Sequence, residues 1–430
     1  MKIAILGAGF TGLAAAYRLT KQGHSVTVFE KDPQAGGLAI GYKESQWDWS
    51  LEKHYHHWFT DDKSVLDLAK EINYEVVIKR PKTSTFVDGG IYQFDSPKTV
   101  LMFPKLTFID RLRTAITIGI LRYNPMWKPL EKFRAEPFLK TMIGKSGYKT
   151  IWEPLMVNKL GKYADVVSLA WFWARISKRT PSLAYPAGGF LHFADALVEK
   201  IKKQNGTILF NTEVVELSSD LKPKVTLRNE NGKVQTETFD AVIVTLPSFL
   251  FSKIAPALPA QYVKMLSNLK GIGAINMVLR LKEEFMHDNT YWLNMCDINS
   301  PILAIVEHTH FMDKEHYNNE NLVYVGNYMP TDNPLFSASP DQLLKRYDPY
   351  LKKINPNYKK NLIDFKVFHA PFAQPIIPRN YSSQIPPIKT PLQNVYLANM
   401  QQVYPWDRGT NYAVELGEKV AGMITENNEK

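Results

Sequence analysis

Five consecutive residues, His54, Tyr55, His56, His57 and Trp58, place three imidazoles, a phenol and an indole in one short stretch. An imidazole can hold or release a proton near neutral pH, ligate a metal or hydrogen-bond a ligand. Read as a strand, the run would alternate faces, and no carboxylate–histidine spacing accompanies it, so no metal site is predicted. Contact with a cofactor or substrate is one reading of His54, His56 and His57; packing or surface placement is the other. Trp171, Phe172, Trp173 and Arg175 combine broad apolar rings with one cation. That composition suits the wall of a pocket for a large flat substrate, or a core. Near the C-terminus, Tyr404 and Trp406 lead into Asp407-Arg408-Gly409-Thr410-Asn411.

The N-terminus carries the element beside which such groups would act. Ile3–Leu6 is a short apolar run of the kind that forms a buried parallel strand, and Gly7, Gly9 and Gly12 follow at once in G-x-G-x-x-G order. The first glycine permits a tight turn, the second a close approach to a pyrophosphate, the third close helix–strand packing. A helix is predicted over 11–22, with Phe10 and Thr11 at its start, and its N-terminal amides would face the phosphates. Ser25–Phe29 reads as a second strand, ending on Glu30, 23 residues after Gly7, with Lys31 next. A carboxylate there accepts hydrogen bonds from a ribose and repels a 2′-phosphate. The combination predicts a dinucleotide site; the glycines alone would admit NAD.

Glu30 followed by Gly36-Gly37 in DPQAGGLA resembles the flavin amine oxidase superfamily, which includes monoamine oxidases, protoporphyrinogen oxidases, phytoene desaturases and UDP-galactopyranose mutases. The resemblance implies non-covalent FAD and an α/β fold. Its Rossmann-like FAD-binding domain would be of the discontinuous GR2 type, built from 1–80, 186–247 and 376–430. An inserted α+β substrate domain would occupy 81–185 and 248–375. It further implies that Gly36 and Gly37 lie against the cofactor, with Leu38 where many members carry arginine. Val214 would approach the adenine. Asn399 would stand in the place of an acid that binds the ribityl chain. Asp407, Gly409, Thr410 and Asn411 would open a final helix beneath the isoalloxazine, its dipole facing the atoms that become negative on reduction. Together with Gly7, Gly9, Phe10, Thr11, Gly12, Glu30 and Lys31 these are the candidate cofactor contacts. Trp58, Trp173, Arg175 and Trp406 are candidate pocket residues. His54, His56, His57 and Tyr404 are the catalytic candidates, with no base assigned.

The elements needed to position these groups are visible. A helix is expected over 191–204, strands over 207–217, 239–247 and 394–399, and a last helix to about Met423. Alternating stretches at 275–281 and 321–328 suggest a mixed sheet roofing the site. Residues 97–122 read as an amphipathic basic helix, able to lie on an anionic membrane or to pack within the substrate domain.

The chain has 430 residues, 45% hydrophobic and 22% charged, with a net charge of +10. It is a folded globular chain of two or three units. The excess of bases favours anionic partners, but they form no long block and no nucleic-acid motif accompanies them. The single Cys296 excludes an intramolecular disulfide and suits a reducing compartment. The longest apolar run past the N-terminus, 115–121, is far short of the ~20 residues that span a bilayer. A cytoplasmic protein is expected, with membrane association through 97–122. The expected activity is hydride transfer from an organic substrate, large and apolar or diphosphate-bearing, to flavin N5. The alternative is a non-redox sugar-nucleotide mutase resembling UDP-galactopyranose mutase.

Overall fold

Apolar runs of three to five residues form the centre of the molecule, because only a sheet covered on both faces accommodates strands that are apolar on both sides. A computed structural model describes residues 1–426; the last four residues of the 376–430 piece lie outside the described residues. Lys2–Leu6 pairs in parallel with Ser25–Phe29 on one side and Ala241–Val244 on the other. Thr207–Leu209 and Val395–Leu397 complete a five-stranded parallel sheet in the order 207–209, 25–29, 2–6, 241–244, 395–397. Helices Phe10–Lys21, Phe190–Lys203 and Thr410–Glu426 pack together beside it, each with a continuous buried stripe. The sheet thus draws strands from three distant parts of the chain.

The roof is a seven-stranded mixed sheet ordered 362–375, 271–281, 321–329, 304–307, 290–295, 82–87, 90–93. Its one parallel pair joins 290–295 to 82–87; the other pairs are antiparallel. Residues before 100 and after 270 therefore share one sheet. A helical layer from Phe108 to Ser177 packs beside this roof. A small sheet of 58–59, 183–186 and 76–79 lies between the larger units.

The expected long helix over 97–122 is two helices, Pro97–Leu101 and Phe108–Tyr123. Pro104 stands between them, Ser96 caps the first with a capping box, and the Thr107 side chain caps the second. Nor do residues 53–57 form a strand: strand geometry is confined to Leu51–Glu52 and Trp58–Phe59. The alternation expected for the histidines therefore does not apply.

Glu52 joins floor to roof. Its carboxylate is fully buried and accepts from Tyr185 Oη at 3.0 and 2.9 Å and from the Phe190 amide at 2.9 Å. Its carbonyl accepts from Tyr324 Oη at 2.7 Å, a residue of the roof. Burial raises the carboxyl to about 7 despite these donors. A carboxyl raised in the folded state stabilises most below its unfolded pKa, and that stability is lost as pH rises through the folded value. Glu52→Gln keeps an acceptor without the charge. Its melting temperature relative to the unsubstituted protein should therefore rise by roughly 2 °C or more between pH 5 and pH 8. A difference independent of pH in thermal melts would remove this assignment.

Candidate functional site

The cradle predicted at the N-terminus has the required shape. Gly7 adopts φ +108° in the turn, and a Cβ on Gly12 would lie 2.0 Å from the Gly7 carbonyl oxygen, so helix and turn touch backbone to backbone. Gly37, at φ +58°, faces Gly9 so closely that a Cβ on it would lie 3.0 Å from the Gly9 Cα. Gly36 N donates to Ala8 O at 3.0 Å, locking the two glycine loops together. Helix Phe10–Lys21 starts at Gly9 with no side-chain cap and no acid in its first turn, which leaves its amides ready for an anion. Phe10 and Thr11 are buried there.

Glu30 accepts from Ala8 N at 2.8 Å and Asp32 N at 2.9 Å, which fixes its carboxylate beside the turn, while burial raises its pKa. Strand Thr212–Ser219 runs past it, since Thr212 N donates to Glu30 O at 2.8 Å. Val214 lies half-buried two residues on, at a break in register. Lys31 points outward to Glu213 at 3.3 Å. These features fit a dinucleotide with a free ribose.

Leu38 departs from arginine for a visible reason. It packs against Ala274, Ala370 and Ala373 of the roof, beside Tyr328, where a guanidinium would have no carboxylate. A cavity opens over it, lined also by His54, Tyr55, His56, Asn276, Asn327 and Arg408. This is where floor, roof and closing helix meet.

Within that cavity the histidines divide. His54 Nδ1 lies 2.9 Å from the Asn276 side-chain nitrogen, which makes Nδ1 the acceptor and leaves a proton on Nε2. His56 Nδ1 lies 2.6 Å from the His54 carbonyl, so it carries the proton there and keeps Nε2 as a lone-pair base. His57 turns to Tyr291 Oη at 3.2 Å, among Phe59 and Trp292, and does not line the cavity. Burial first, then neighbouring positive groups, lowers His54 to about 3 and His57 to about 3; burial lowers His56 to about 4. All three are neutral near pH 7. Among the described residues no group of histidine, cysteine and acidic side chains could hold a metal ion.

Several expected site residues serve the fold instead. Trp58 is fully buried edge-on to Phe190 and Phe193, and donates Nε1–H to Thr410 Oγ1 at 2.7 Å, so it is not a pocket wall. Asn411 Oδ1 accepts from Val65 N at 3.1 Å, and both side-chain bonds brace the start of the closing helix. Trp173 is 2% exposed and donates to Asn124 O; only its stacking partner Trp406 is half-exposed. Tyr404 donates to Glu131 Oε2 at 3.0 Å, packed on Trp127, and does not line the cavity. Asn399 is 2% exposed and gives its amide hydrogens to Leu246 O and Ser248 Oγ, while its oxygen accepts from Gln401 N. It clamps a turn and has no donor left for a ribityl chain. Each partner is remote in sequence or unmarked by a motif, which is why side-chain type alone did not reveal these contacts. Gly409 is exposed just before the closing helix.

Asp407 pairs with Arg175, and the neighbouring Arg408 donates to Tyr328 Oη. Lys159 Nζ lies over the Tyr328 ring at 4.0 Å. Tyr55, Asn276, Tyr328 and Arg408 sit inside stretches that the sequence marks, though without a site role assigned to them, whereas Lys159 follows no pattern.

Residues 10–424 match the family model described as flavin containing amine oxidoreductase. A zeta-carotene desaturase from Synechococcus elongatus is 25% identical over 179 residues, 36% of this chain and 37% of that protein. Coproporphyrinogen III oxidase of Staphylococcus aureus is 22% identical over 289 residues, 58% of this chain and 61% of the enzyme. The chain thus matches less than two thirds of the length of these relatives. An oxidoreductase from Methanosarcina mazei superposes with a TM-score of 0.76 at 19% identity, over 98% of this chain and 100% of that one, which shows a shared fold. These comparisons lend no support to the mutase alternative. A family match over residues 10–424 makes this protein a member of the flavin-containing amine oxidoreductase family.

Proposed function

We propose that this protein is an FAD-dependent dehydrogenase or oxidase that removes a hydride from a large, partly apolar organic substrate. The observation that carries the reading is the locked pair of glycine loops, Gly7–Gly12 and Gly36–Gly37, beside a cavity roofed by a separate sheet. The cofactor body comprises 1–80, 186–247 and the described part of the last piece, 376–426, and the substrate body 81–185 and 248–375. The amides at Phe10 and Thr11 hold the pyrophosphate, Glu30 the adenosine ribose, and the start of the helix at Thr410 lies by the ring. The reading takes binding as non-covalent; a cysteinyl link is excluded, since the only cysteine, Cys296, is buried against Ile151 away from the cradle. FAD, when bound, supplies the hydride acceptor at N5.

The chain's own residues would orient the substrate and exclude water. Tyr55 stands edge-on to Trp292 and Tyr324, and Leu38 closes the apolar side. His56 Nε2 can take a proton, and His54 Nε2–H can donate a hydrogen bond. Both stay uncharged at working pH because burial disfavours the imidazolium.

A cytoplasmic location with peripheral membrane attachment completes the reading. Among the described residues no helix is long and apolar enough to cross a membrane. Helix Phe108–Tyr123 nevertheless exposes Phe108 (70%), Ile109 (65%), Ile116 (58%) and Ile120 (50%). Residues 97–134 contain eight bases and only two acids, Asp110 and Glu131, both buried. An apolar stripe on a segment whose exposed charges are all basic complements an anionic bilayer.

Three outcomes test these statements. Gly12→Val, which would drive two further carbons toward the Gly7 carbonyl, should yield a folded protein without flavin colour; retained colour refutes the cradle. Under anaerobic conditions one substrate among amines, porphyrinogens and polyenes should bleach the visible flavin band. Bleaching by none of these classes refutes the hydride-transfer reading. In flotation with phosphatidylglycerol-containing vesicles the protein should bind, and Ile109→Ser/Ile116→Ser should weaken binding about tenfold or more. Equal binding to neutral vesicles, or burial of this face in a dimer, overturns the membrane assignment.

A further inference from the structure

Four cations converge on one carboxylate beside the cavity. Asp407 is paired directly with Arg175 and lies in the field of Lys159, Arg408 and Arg179. Those positive neighbours hold its carboxyl below the ordinary range despite burial. Arg175, Arg179 and Arg408 against Asp407 leave two positive charges without a protein counterion, and Lys159, whose pKa burial and the neighbouring guanidinium groups lower well below the ordinary range, adds a third when a bound anion favours its protonation. Like charges gathered away from bulk water repel strongly, so a fold retains them only where something offsets the cost.

The individual groups show where that offset is missing. Arg408 is fixed, donating to Gln374 Oε1 at 3.3 Å and to Tyr328 Oη. Arg175 is fixed by Asp407 and lies 5.0 Å from the Trp171 ring centre. Lys159, in contrast, is 8% exposed, and its ammonium makes no hydrogen bond or ion pair among the described residues; its contact is the Tyr328 ring. Helix Glu153–Leu160 holds it there, because Asn158 anchors the helix end to Met295 O and Asp297 O at 3.2 and 2.9 Å. The Arg179 side chain is likewise unpaired among the described residues. It is exposed to solvent, and its guanidinium lies within the field of Arg175 and Asp407 and of His57 and Lys159.

The phosphates of the cofactor do not account for these charges. Their cradle lies at Gly9 and Gly37, whereas Lys159, Arg175 and Arg179 come from the helical part of 81–185. A single carboxylate on a ligand would leave about two charges unmet, whereas a phosphate or diphosphate would meet them. We propose that the substrate carries a phosphate or diphosphate group, seated between Lys159, Arg175, Arg179 and Arg408 beside Tyr328. Lys159 and Arg179 supply the free donors, and Arg408 links the anion site to the cavity that holds His54, Tyr55 and His56.

This site rests on the FAD-dependent reading only in assigning the glycine cradle to the cofactor, so the test uses FAD-loaded protein. Inorganic pyrophosphate, UDP and geranyl diphosphate are titrated by calorimetry, with the visible flavin spectrum followed in parallel. Pyrophosphate should bind, and whichever organic diphosphate binds more tightly than pyrophosphate identifies a nucleotide or an isoprenoid as the remainder of the substrate. Arg179→Gln and Lys159→Met should each weaken pyrophosphate binding about 10- to 100-fold, with flavin content and circular dichroism unchanged. Arg179→Lys should restore part of the loss. Yellow protein that binds no pyrophosphate overturns the anion site and leaves the flavin reading standing. Loss of FAD in either variant also overturns it, by making these cations cofactor ligands; colourless unsubstituted protein overturns the flavin reading itself.

Discussion

A carboxylate buried without a cation carries a desolvation cost that only several well-placed donors can offset. Glu52 meets that condition through Tyr185 and the first amide of helix Phe190–Lys203, while its main chain receives Tyr324 from the roof. Six residues later Trp58 is pinned to Thr410 at the start of the closing helix. Residues 53–57 are therefore a short span between two fixed points, one tied to the roof and one to the floor. Held at both ends in this way, the span does not form a strand. It presents His54, Tyr55 and His56 to the cavity and turns His57 away. The separation of floor and roof, and with it the height of the site, follows from these two anchors.

Electrostatics divides the site into unlike halves. On the cofactor side, the uncapped start of helix Phe10–Lys21 offers partial positive charge from amides, with no side-chain cation among the cradle residues apart from the outward Lys31. On the other side the charges are whole, on Arg175, Arg179, Arg408 and Lys159, with Asp407 alone opposing them. Between the halves stand imidazoles kept neutral by burial and by the same cations, since Arg408 depresses His54 and Arg179 depresses His57. A neutral imidazole that accepts a proton on one nitrogen while releasing one from the other relays it without adding to the positive field. That division of labour requires the histidines to be buried, and the two anchors supply the burial.

Legibility in the sequence followed the range of the interactions involved. The strand Ile3–Leu6, the glycine turn, Glu30 and the closing helix could be placed because their signals are local: apolar runs, fixed glycine spacing and an acid at a strand end. The bonds of Trp58, Trp173, Tyr404 and Asn399 were not legible because their partners, Thr410, Asn124, Glu131 and Leu246, are known only once the chain is folded. An aromatic residue looks the same whether its ring lines a pocket or its N–H is consumed by a backbone carbonyl. Lys159 shows the limit most clearly. Its neighbours on the helix carry no motif, and only the roof strand bearing Tyr328 makes it a buried, unpaired ammonium.

The two features left without protein partners are neighbours in the fold. Helix Phe108–Tyr123 presents its apolar stripe outward, and its last turn is fastened by Arg122, whose guanidinium donates to Ile176 O at 3.2 Å and to Arg179 O at 2.7 Å. The backbone that receives this bond carries the side chain of the unpaired Arg179. One arginine thus ties the end of the helix with the apolar stripe to the segment that carries a member of the cation cluster. The stripe is costly for a protein to keep in water, which fits its seating on a bilayer, and the Arg122 bonds would hold the Arg179 segment next to the helix that lies there.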